Sequence, residues 1–328
     1  MGVQHGEQAR ELIAHNRPVF VKQTLEELRP YAAACEKWLA QMAPDELEEM
    51  RGIAEGSGQD LAVILAMNQV NTFGPEWLGQ CTSMAISGGP DGPVLGKNND
   101  GGDNPAVETK YIVRRSRPAT GLPMVQVTYA GWLSGLDAMN AEGLANAHDS
   151  VGSVFDKSGP RLDVRLRVYQ LMRRCRATTE MLEGLCQGPS LTGKGFAVIV
   201  VDKSGDTVAV EAAVPVIAWR NRRDPYVFAT NHFITPALQN ADMRTPEGKR
   251  VSSCRLGYLE WVARTRPPRS AEDIRAILRC HEPWAPCRHA GPHLSQTEWS
   301  IVGLPTQGKL LLAPGHPCEN AYKAFDVA

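Results

Sequence analysis

The sequence predicts an α+β fold in which two antiparallel sheets are covered by helices. Three observations indicate this class. Residues 7–70 carry apolar side chains at helical spacing, residues 81–147 contain short alternating runs separated by turns, and the later strands come in hairpins. Strands joined by short turns pair antiparallel, whereas parallel strands need long crossover connections. The pattern therefore favours layered antiparallel sheets over a βαβ arrangement.

The N-terminal block is predicted to be helical throughout residues 7–70. Pro44, followed by Asp45 and Glu46, indicates a helix start, because proline is tolerated in the first turn and acidic side chains are stabilised there. This helix is expected to end near Gly58. A loop at residues 71–80, rich in glycine and containing a proline, then leads into the strands.

The remaining elements are predicted from alternation and from helical spacing. Strands are expected at 80–87, 93–100, 107–114, 124–130, 135–139, 144–147, 196–201, 207–212, 216–219, 226–229, 298–302 and 309–313. Helices are expected at 162–175, at 180–186 with Thr178 or Thr179 as N-cap, at 252–265 and at 271–280. The last two strands are predicted to close the chain as a hairpin.

The composition is typical of a soluble folded protein, and we expect a small-molecule or peptide substrate. The 328 residues carry a formal net charge of -1, so the charge favours neither nucleic acid nor an acidic membrane as a partner. No apolar run approaches the roughly twenty residues of a membrane span, and the first residues lack a secretory signal. We therefore expect a cytoplasmic protein whose scattered cysteines are thiols. Association into a homo-oligomer is compatible with this composition.

The segment 80–100 carries the residues of greatest chemical interest. It is typical of a β-hairpin, and folding it about the turn at 88–92 places Cys81 opposite Asn99 and Asp100. Such a cysteine could be a nucleophile, although a buried cysteine is more often a packing residue. Because the usual Ser/Cys, His and Asp signatures are missing, the α-amine of the cysteine itself is a candidate base. That solution requires cleavage of the bond between Gln80 and Cys81.

Two other motifs suggest different chemistry. Residues 188–194 match the first seven positions of a phosphate-binding loop, but Gly195 stands where Ser or Thr should bind magnesium, and a strand follows instead of a helix. Potential zinc ligands also lie close together in the sequence, at Cys280, His281, Cys287, His289 and His293. Their spacing fits no regular zinc pattern, so we predict no metal site. A metal-dependent hydrolase built on residues 280–293 remains an alternative.

Short segments in a shared order carry a resemblance to a known family. They lie at 2–8, 49–56, 65–68, 81–83, 96–100, 140–144, 230–233, 252–255, 299–302 and 315–318. In these segments the chain resembles the acyl-coenzyme A:isopenicillin N acyltransferase family of N-terminal-nucleophile hydrolases, and more distantly the bile salt and penicillin V hydrolases. The resemblance implies a single domain, 1–328, folded as a four-layer αββα sandwich without a cofactor. It also implies self-cleavage into a helical segment, 1–80, and a catalytic subunit, 81–328, which stay associated.

The resemblance implies a role for each matching residue. Cys81 would attack first the preceding carbonyl and later a substrate amide, forming a thioester each time. Asp100 matches the carboxylate that holds the α-amine, and Asn231 matches the amide of the oxyanion hole. Ser83 and Arg255 match positions that support the nucleophile and the cleavage step. The substrate would be a small N-acyl compound whose acyl group passes to water or to an amine, with acyl-coenzyme A as a conceivable donor.

The sequence departs from the family pattern near the expected site. Gln80 replaces the usual glycine, Lys97 an arginine, Asn99 an aromatic residue, and residues 148–150 a second oxyanion asparagine. A glutamine before the scissile bond could slow self-cleavage. We expect substrate contacts from Lys97, Asn98, His148 and Asp149. The alternative interpretation is an uncleaved, non-catalytic member of the family that binds a small ligand.

Overall fold

The computed structural model describes residues 1–69, 80–101, 109–155, 162–188, 191–214, 216–289 and 295–327, apart from the side chains of residues 69 and 192. Helices open the described chain: α1 (Gly2–Gln8), α2 (Arg10–Phe20), α3 (Leu25–Met42), α4 (Pro44–Ser57) and α5 (Leu61–Gln69). The predicted start of α4 at Pro44 and its end at Gly58 are confirmed, and the left-handed φ of 70° at Gly58 suits glycine. The predicted loop at 71–80 lies outside the described residues except for Gln80.

Strands and further helices make up the rest of the described chain. They are β1 (Thr82–Ile86), β2 (Val94–Asp100), β3 (Tyr111–Ser116), β4 (Met124–Tyr129), β5 (Ala138–Asn140), β6 (Ala145–Val151), β7 (Leu162–Asp163), α6 (Val164–Met172), α7 (Thr178–Cys186), β8 (Leu191–Thr192), β9 (Gly195–Val201), β10 (Thr207–Ala212), β11 (Ile217–Arg220), β12 (Tyr226–Thr230), α8 (Pro246–Thr265), α9 (Ala271–Arg279), β13 (Thr297–Leu304), β14 (Lys309–Pro314) and β15 (Lys323–Asp326).

Two antiparallel sheets form the centre of the molecule. The first has the strand order β12-β1-β2-β13-β14-β15 and the second the order β11-β10-β9-β6-β5-β4-β3, while β7 and β8 make a short parallel pair. Strands β1, β2 and β12 pack on β6 and β9 of the second sheet. Helices α8 and α9 contact the first sheet, and α6 and α7 contact the second. This αββα layering confirms the predicted α+β class and sandwich.

Side chains of β1 alternate between the two cores of the sandwich. Met84 and Ile86 belong to the core shared with α8 and α9, whereas Ala85 belongs to the larger core that lies between the sheets. This alternation follows from the pleat, which sends successive side chains to opposite faces. It decides which residues of the hairpin face the space between the sheets and which face the helices.

The N-terminal helices are joined to the second sheet by buried polar contacts at the turn after β4. Asn16 Nδ2 donates to the Ala130 carbonyl at 3.2 Å, and Asn68 Oδ1 accepts from the Leu133 N–H at 2.7 Å. Helix α4 contributes a buried ion pair between Glu49 and Arg114 of β3. No helix in the described ranges is both long and apolar enough to cross a bilayer.

Several predicted elements are wrong in detail. The helix expected at 162–175 is shorter, because residues 162–163 form β7 and α6 spans Val164–Met172. Helix α8 begins at Pro246 instead of residue 252, because Thr245 caps it by accepting a hydrogen bond from the Gly248 N–H at 3.1 Å. The N-cap of α7 is Ala177 instead of Thr178 or Thr179. The chain does not close on the β13–β14 hairpin, since β15 pairs with β14. That edge strand is largely exposed, so its sequence lacks clear alternation.

Candidate active site

Cys81 immediately precedes β1 and faces the end of β2. The hairpin register pairs Thr82 with Asn98 and Ser83 with Lys97. Cys81 Sγ lies 3.5 Å from Asn99 Oδ1 and 3.9 Å from the Asp100 carbonyl oxygen. The prediction that the turn brings Cys81 opposite these two residues is therefore confirmed.

The side chain of Asp100, the residue whose backbone carbonyl approaches Cys81, is buried, and one of its oxygens is unused among the described residues. Its Oδ1 accepts a hydrogen bond from Thr297 Oγ1 at 2.8 Å, whereas its Oδ2 has no partner among the described residues. Burial raises the pKa of Asp100 to about 7, although Arg288 and Arg255 oppose this shift. A buried carboxylate oxygen without a donor is costly, and it provides a ready acceptor for a cationic group.

Arg255 joins Cys81 to Asn231. The Nη1 group of Arg255 donates to the Cys81 carbonyl and, at 2.8 Å, to Thr82 Oγ1, while its Nη2 donates to Asn231 Oδ1 at 2.8 Å. Because a guanidinium only donates, these contacts fix the orientation of the Asn231 amide. Asn231 Nδ2 donates to the Ser150 carbonyl at 2.9 Å, and its second hydrogen has no acceptor among the described residues. That hydrogen is suitable for an oxyanion.

Burial controls the ionisation of the Cys81 thiol, which is only 3% exposed. It raises the pKa of Cys81 to about 11; Lys97 lowers this pKa, whereas Asp149 and Asp100 raise it further. The thiol is therefore protonated at neutral pH in the intact chain. A positive charge created next to the sulfur would stabilise the thiolate.

Ser83 and Asp149 are buried close to the nucleophile. Burial raises the pKa of Asp149 to about 7, with Lys97 the largest opposing influence. The Ser83 hydroxyl lies near enough to Asp149 to lower this pKa somewhat. It nevertheless makes no well-formed hydrogen bond, and neither Asp149 oxygen has a partner in the described part of the chain.

Lys97 forms a fully buried ion pair across the two sheets. Its Nζ donates to Asp137 Oδ2 at 2.6 Å and lies 2.9 Å from His148 Nδ1. Burial would raise the pKa of Asp137, but His148 and Lys97 outweigh it and lower that pKa to about 2. Burial lowers the pKa of His148, whose side chain is 18% exposed. Lys97 is thus occupied by protein groups, and His148 is the member of this trio that reaches solvent.

Asn98 lies on the other face of the first sheet. Its Nδ2 donates to the Leu278 carbonyl of α9 at 2.9 Å. The alternation of side chains along β2 separates Asn98 from its neighbours Lys97 and Asn99, which face the second sheet. The structure therefore does not bring Asn98 to the predicted substrate side, and its contact is one between sheet and helix.

The sequence analysis missed two residues, Arg288 and Thr297, that link Gln80 to Asp100. Arg288 Nη1 donates to Gln80 Oε1 at 2.7 Å, and the Arg288 backbone N–H donates to Thr297 Oγ1 at 3.1 Å. Thr297 in turn donates to Asp100. Both residues approach the hairpin from far along the chain, so no local pattern indicated them. Closeness to the matching segment 299–302 was a weak signal for Thr297.

A comparison with models of known protein families identifies the family of this chain. The profile of a family described as acyl-coenzyme A:6-aminopenicillanic acid acyl-transferase matches residues 87–253, just over half of the chain. The chain belongs to this family. The matched region includes Asp100 and Asn231, begins after Cys81 and ends before Arg255. Membership supports an enzyme that transfers acyl groups or hydrolyses amides.

Several solved structures match the chain at low identity. A variant of the conjugated bile acid hydrolase from Clostridium perfringens has 10% identity and a TM-score of 0.48, over 76% of this chain and 97% of that chain. An N-acylethanolamine-hydrolyzing acid amidase ortholog from Caenorhabditis elegans has 12% identity and a TM-score of 0.47, and the match covers 69% of this chain and 93% of that chain. Penicillin V acylase from Agrobacterium tumefaciens has 14% identity and a TM-score of 0.43, and the match covers 71% of this chain and 83% of that chain. No curated protein matches the sequence at a significant level.

Proposed function

We propose that the protein is a self-processing cysteine amidohydrolase or acyltransferase, in which cleavage before Cys81 creates an N-terminal nucleophile. The observation that carries this proposal is that Asp100, whose backbone carbonyl oxygen lies 3.9 Å from Cys81 Sγ, has a buried Oδ2 with no partner among the described residues. In the intact chain this oxygen has no donor among the described residues, whereas a new α-ammonium group would supply one. The site is thus better suited to the cleaved chain than to the intact one.

Self-cleavage would proceed by an acyl shift from nitrogen to sulfur. The Cys81 sulfur adds to the carbonyl carbon of Gln80, the carbon–nitrogen bond breaks, and the departing nitrogen takes the proton that the thiol loses. Water then attacks the thioester, releasing the Cys81 thiol and a Gln80 carboxylate. The contact between Arg288 and the Gln80 side chain supports this step, because it restrains the residue that carries the attacked carbonyl.

Turnover would use the new α-amine as the base. The amine takes the thiol proton, and the thiolate adds to the substrate carbonyl while Asn231 Nδ2 donates to the developing oxyanion. Asp100 Oδ2 accepts from the resulting ammonium group. The ammonium then protonates the leaving amine, and a thioester to Cys81 remains. Attack on this thioester by water completes hydrolysis, whereas attack by an acceptor amine completes acyl transfer.

The substrate class follows from this chemistry and from the family. A small N-acyl compound is the expected substrate, and acyl-coenzyme A is a candidate acyl donor. We place the enzyme in the cytoplasm, in line with the sequence analysis. The fragments 1–80 and 81–328 would stay together after cleavage, since buried contacts such as the Glu49–Arg114 ion pair cross between them.

Intact-mass analysis of the purified chain tests the proposal. We expect one fragment that ends at Gln80 and another that begins at Cys81, whereas Cys81→Ala should remain whole. Cys186→Ser, which changes an exposed cysteine elsewhere, is the matched control and should be cleaved. A reagent that condenses only with N-terminal cysteine should label the larger fragment and leave uncut chain unlabelled.

Activity assays complete this test. Processed protein should hydrolyse members of a panel of N-acyl amino acids and β-lactams, and Cys81→Ala should not. A wild-type chain that stays whole and inactive toward the panel would contradict the proposal and favour an uncleaved ligand-binding protein. In that case, the contact between Arg288 and Gln80 would be the first candidate cause of the missing cleavage.

A further inference from the structure

A second cluster of reactive side chains lies in the C-terminal part of the chain, apart from Cys81. It comprises His281, Cys287, His289 and Cys318, and one ligand atom from each lies within 4.8 Å of all the others. The sulfur atoms of Cys287 and Cys318 are 3.6 Å apart, and His289 Nε2 is 3.3 Å from the Cys318 sulfur. Two thiols and two imidazoles are a donor set suited to zinc.

We propose that these four side chains bind one structural zinc ion. Zinc bonds of about 2.3 Å to sulfur and about 2.0 Å to nitrogen require tetrahedral edges of about 3.8 Å between sulfurs and about 3.5 Å between sulfur and nitrogen. The two observed distances lie close to these values. The other distances between ligand atoms are at most 4.8 Å. The side chain of His281 is exposed, so it can rotate toward the ion and shorten its own distances.

Residues around the cluster orient one of its imidazoles. His289 directs Nε2 toward Cys318, while its Nδ1 lies 3.7 Å from Glu319 Oε1. The ring of His316 stacks on that of His289 with centroids 3.9 Å apart, and its Nδ1 lies 3.2 Å from Glu319 Oε2. A carboxylate behind the imidazole is the usual outer partner of a zinc-bound histidine. Glu319 thus lies on the side of the His289 ring away from Cys318, at 3.7 Å, within reach of the position that such an outer partner takes.

The site differs from the zinc alternative that the sequence suggested. Cys280 takes no part, because its sulfur accepts a hydrogen bond from Tyr258 Oη at 3.2 Å, and His293 lies outside the described residues. Cys318, distant in sequence, supplies a ligand instead. Four protein ligands fill a tetrahedral site and leave no position for a substrate or a reactive water. The ion would therefore be structural, and the metal-dependent hydrolase loses its basis.

The zinc would also link the C-terminal loops to the scissile bond. Arg288 stands between the ligands Cys287 and His289, and its side chain holds Gln80. An ion that ties residues 281–289 to residues 316–319 restricts this arginine from both sides. If the chain cleaves itself as proposed above, the metal should make cleavage faster by holding Arg288 in place against Gln80, without contacting the reacting atoms.

Metal analysis of the uncut Cys81→Ala chain tests this inference independently of the proposed activity. We expect one zinc per chain, and replacement by cobalt should give the visible absorption of a tetrahedral site with thiolate ligands. Cys318→Ser and His289→Ala should each weaken zinc binding by about a hundredfold or more in competition with a chelator. The control Cys186→Ser should bind zinc as tightly as its parent.

Several results would overturn the inference. They are a parent chain that remains metal-free after incubation with zinc, a cobalt spectrum without thiolate bands, and a Cys318→Ser variant that keeps its zinc. A stable disulfide between Cys287 and Cys318 in chain purified without reductant would do the same. Because the cobalt spectrum is measured on the parent, the test holds even where a ligand variant fails to fold.

Discussion

Replacing Asp149 by asparagine is expected to stabilise the protein, and increasingly so as the pH rises from about 4 to about 7. The carboxylate is fully buried, without a well-formed hydrogen bond among the described residues, and burial raises its pKa to about 7. Between its ordinary pKa of 3.8 and this raised value, the folded state holds a proton that the unfolded state has lost. The free energy of unfolding is therefore highest, as far as this group is concerned, below pH 3.8, and it falls as the pH rises to about 7.

The magnitude follows from the two pKa values. Each unit of difference corresponds to about 1.4 kcal/mol, so the ionised carboxylate costs the folded state about 4 kcal/mol above pH 7. Asparagine has nearly the same shape and does not titrate. Its stabilising effect relative to aspartate should grow by about 3 kcal/mol between pH 5 and pH 8, and stay constant above pH 8.

Urea unfolding at several pH values measures this difference. The Cys81→Ala chain should serve as the parent, because a cleaved protein would not unfold in a single step. Asp326→Asn, which changes an exposed carboxylate in β15, is the matched control and should show no such trend. An equal effect of Asp149→Asn at pH 5 and at pH 8 would refute the reasoning. A confirmed trend would indicate that Asp149 is retained for function at a cost in stability.

Two further substitutions probe the buried charges around the nucleophile. Lys97→Met should destabilise the chain by about 3 to 5 kcal/mol in urea unfolding, because Asp137 would stay buried without its cation, and adding Asp137→Asn should recover part of the loss. An unchanged unfolding midpoint would show that the ion pair is dispensable. Arg255→Lys keeps the charge but not the forked contacts to Cys81 and its neighbours, so we expect self-cleavage to slow by at least about tenfold in a time course followed by mass. Cleavage at the wild-type rate would exclude a positioning role for Arg255.

The fold and half of the site were accessible to prediction because their determinants are local. Alternation and turn residues indicated the β1–β2 hairpin, and its turn fixed the register that brings Cys81 beside Asp100, only 19 positions away. Asn231 and Arg255 entered through a family resemblance, since their approach to Cys81 depends on the packing of β12 and α8. Local patterns gave no indication of either contact.

By itself, the sequence determined the α+β class with two antiparallel sheets, most of the helices and strands, and the hairpin that holds Cys81, because periodicity and turn chemistry act over a few residues. The four-layer αββα arrangement came from the family resemblance. Only the tertiary structure decided which side chains are used where. It paired Lys97 with Asp137 across the sheets, turned Asn98 toward α9 and placed Arg288 on Gln80. It also brought Cys318 close to His281, Cys287 and His289. These contacts join residues far apart in sequence, and their energies depend on burial, which exists only once the sheets have packed.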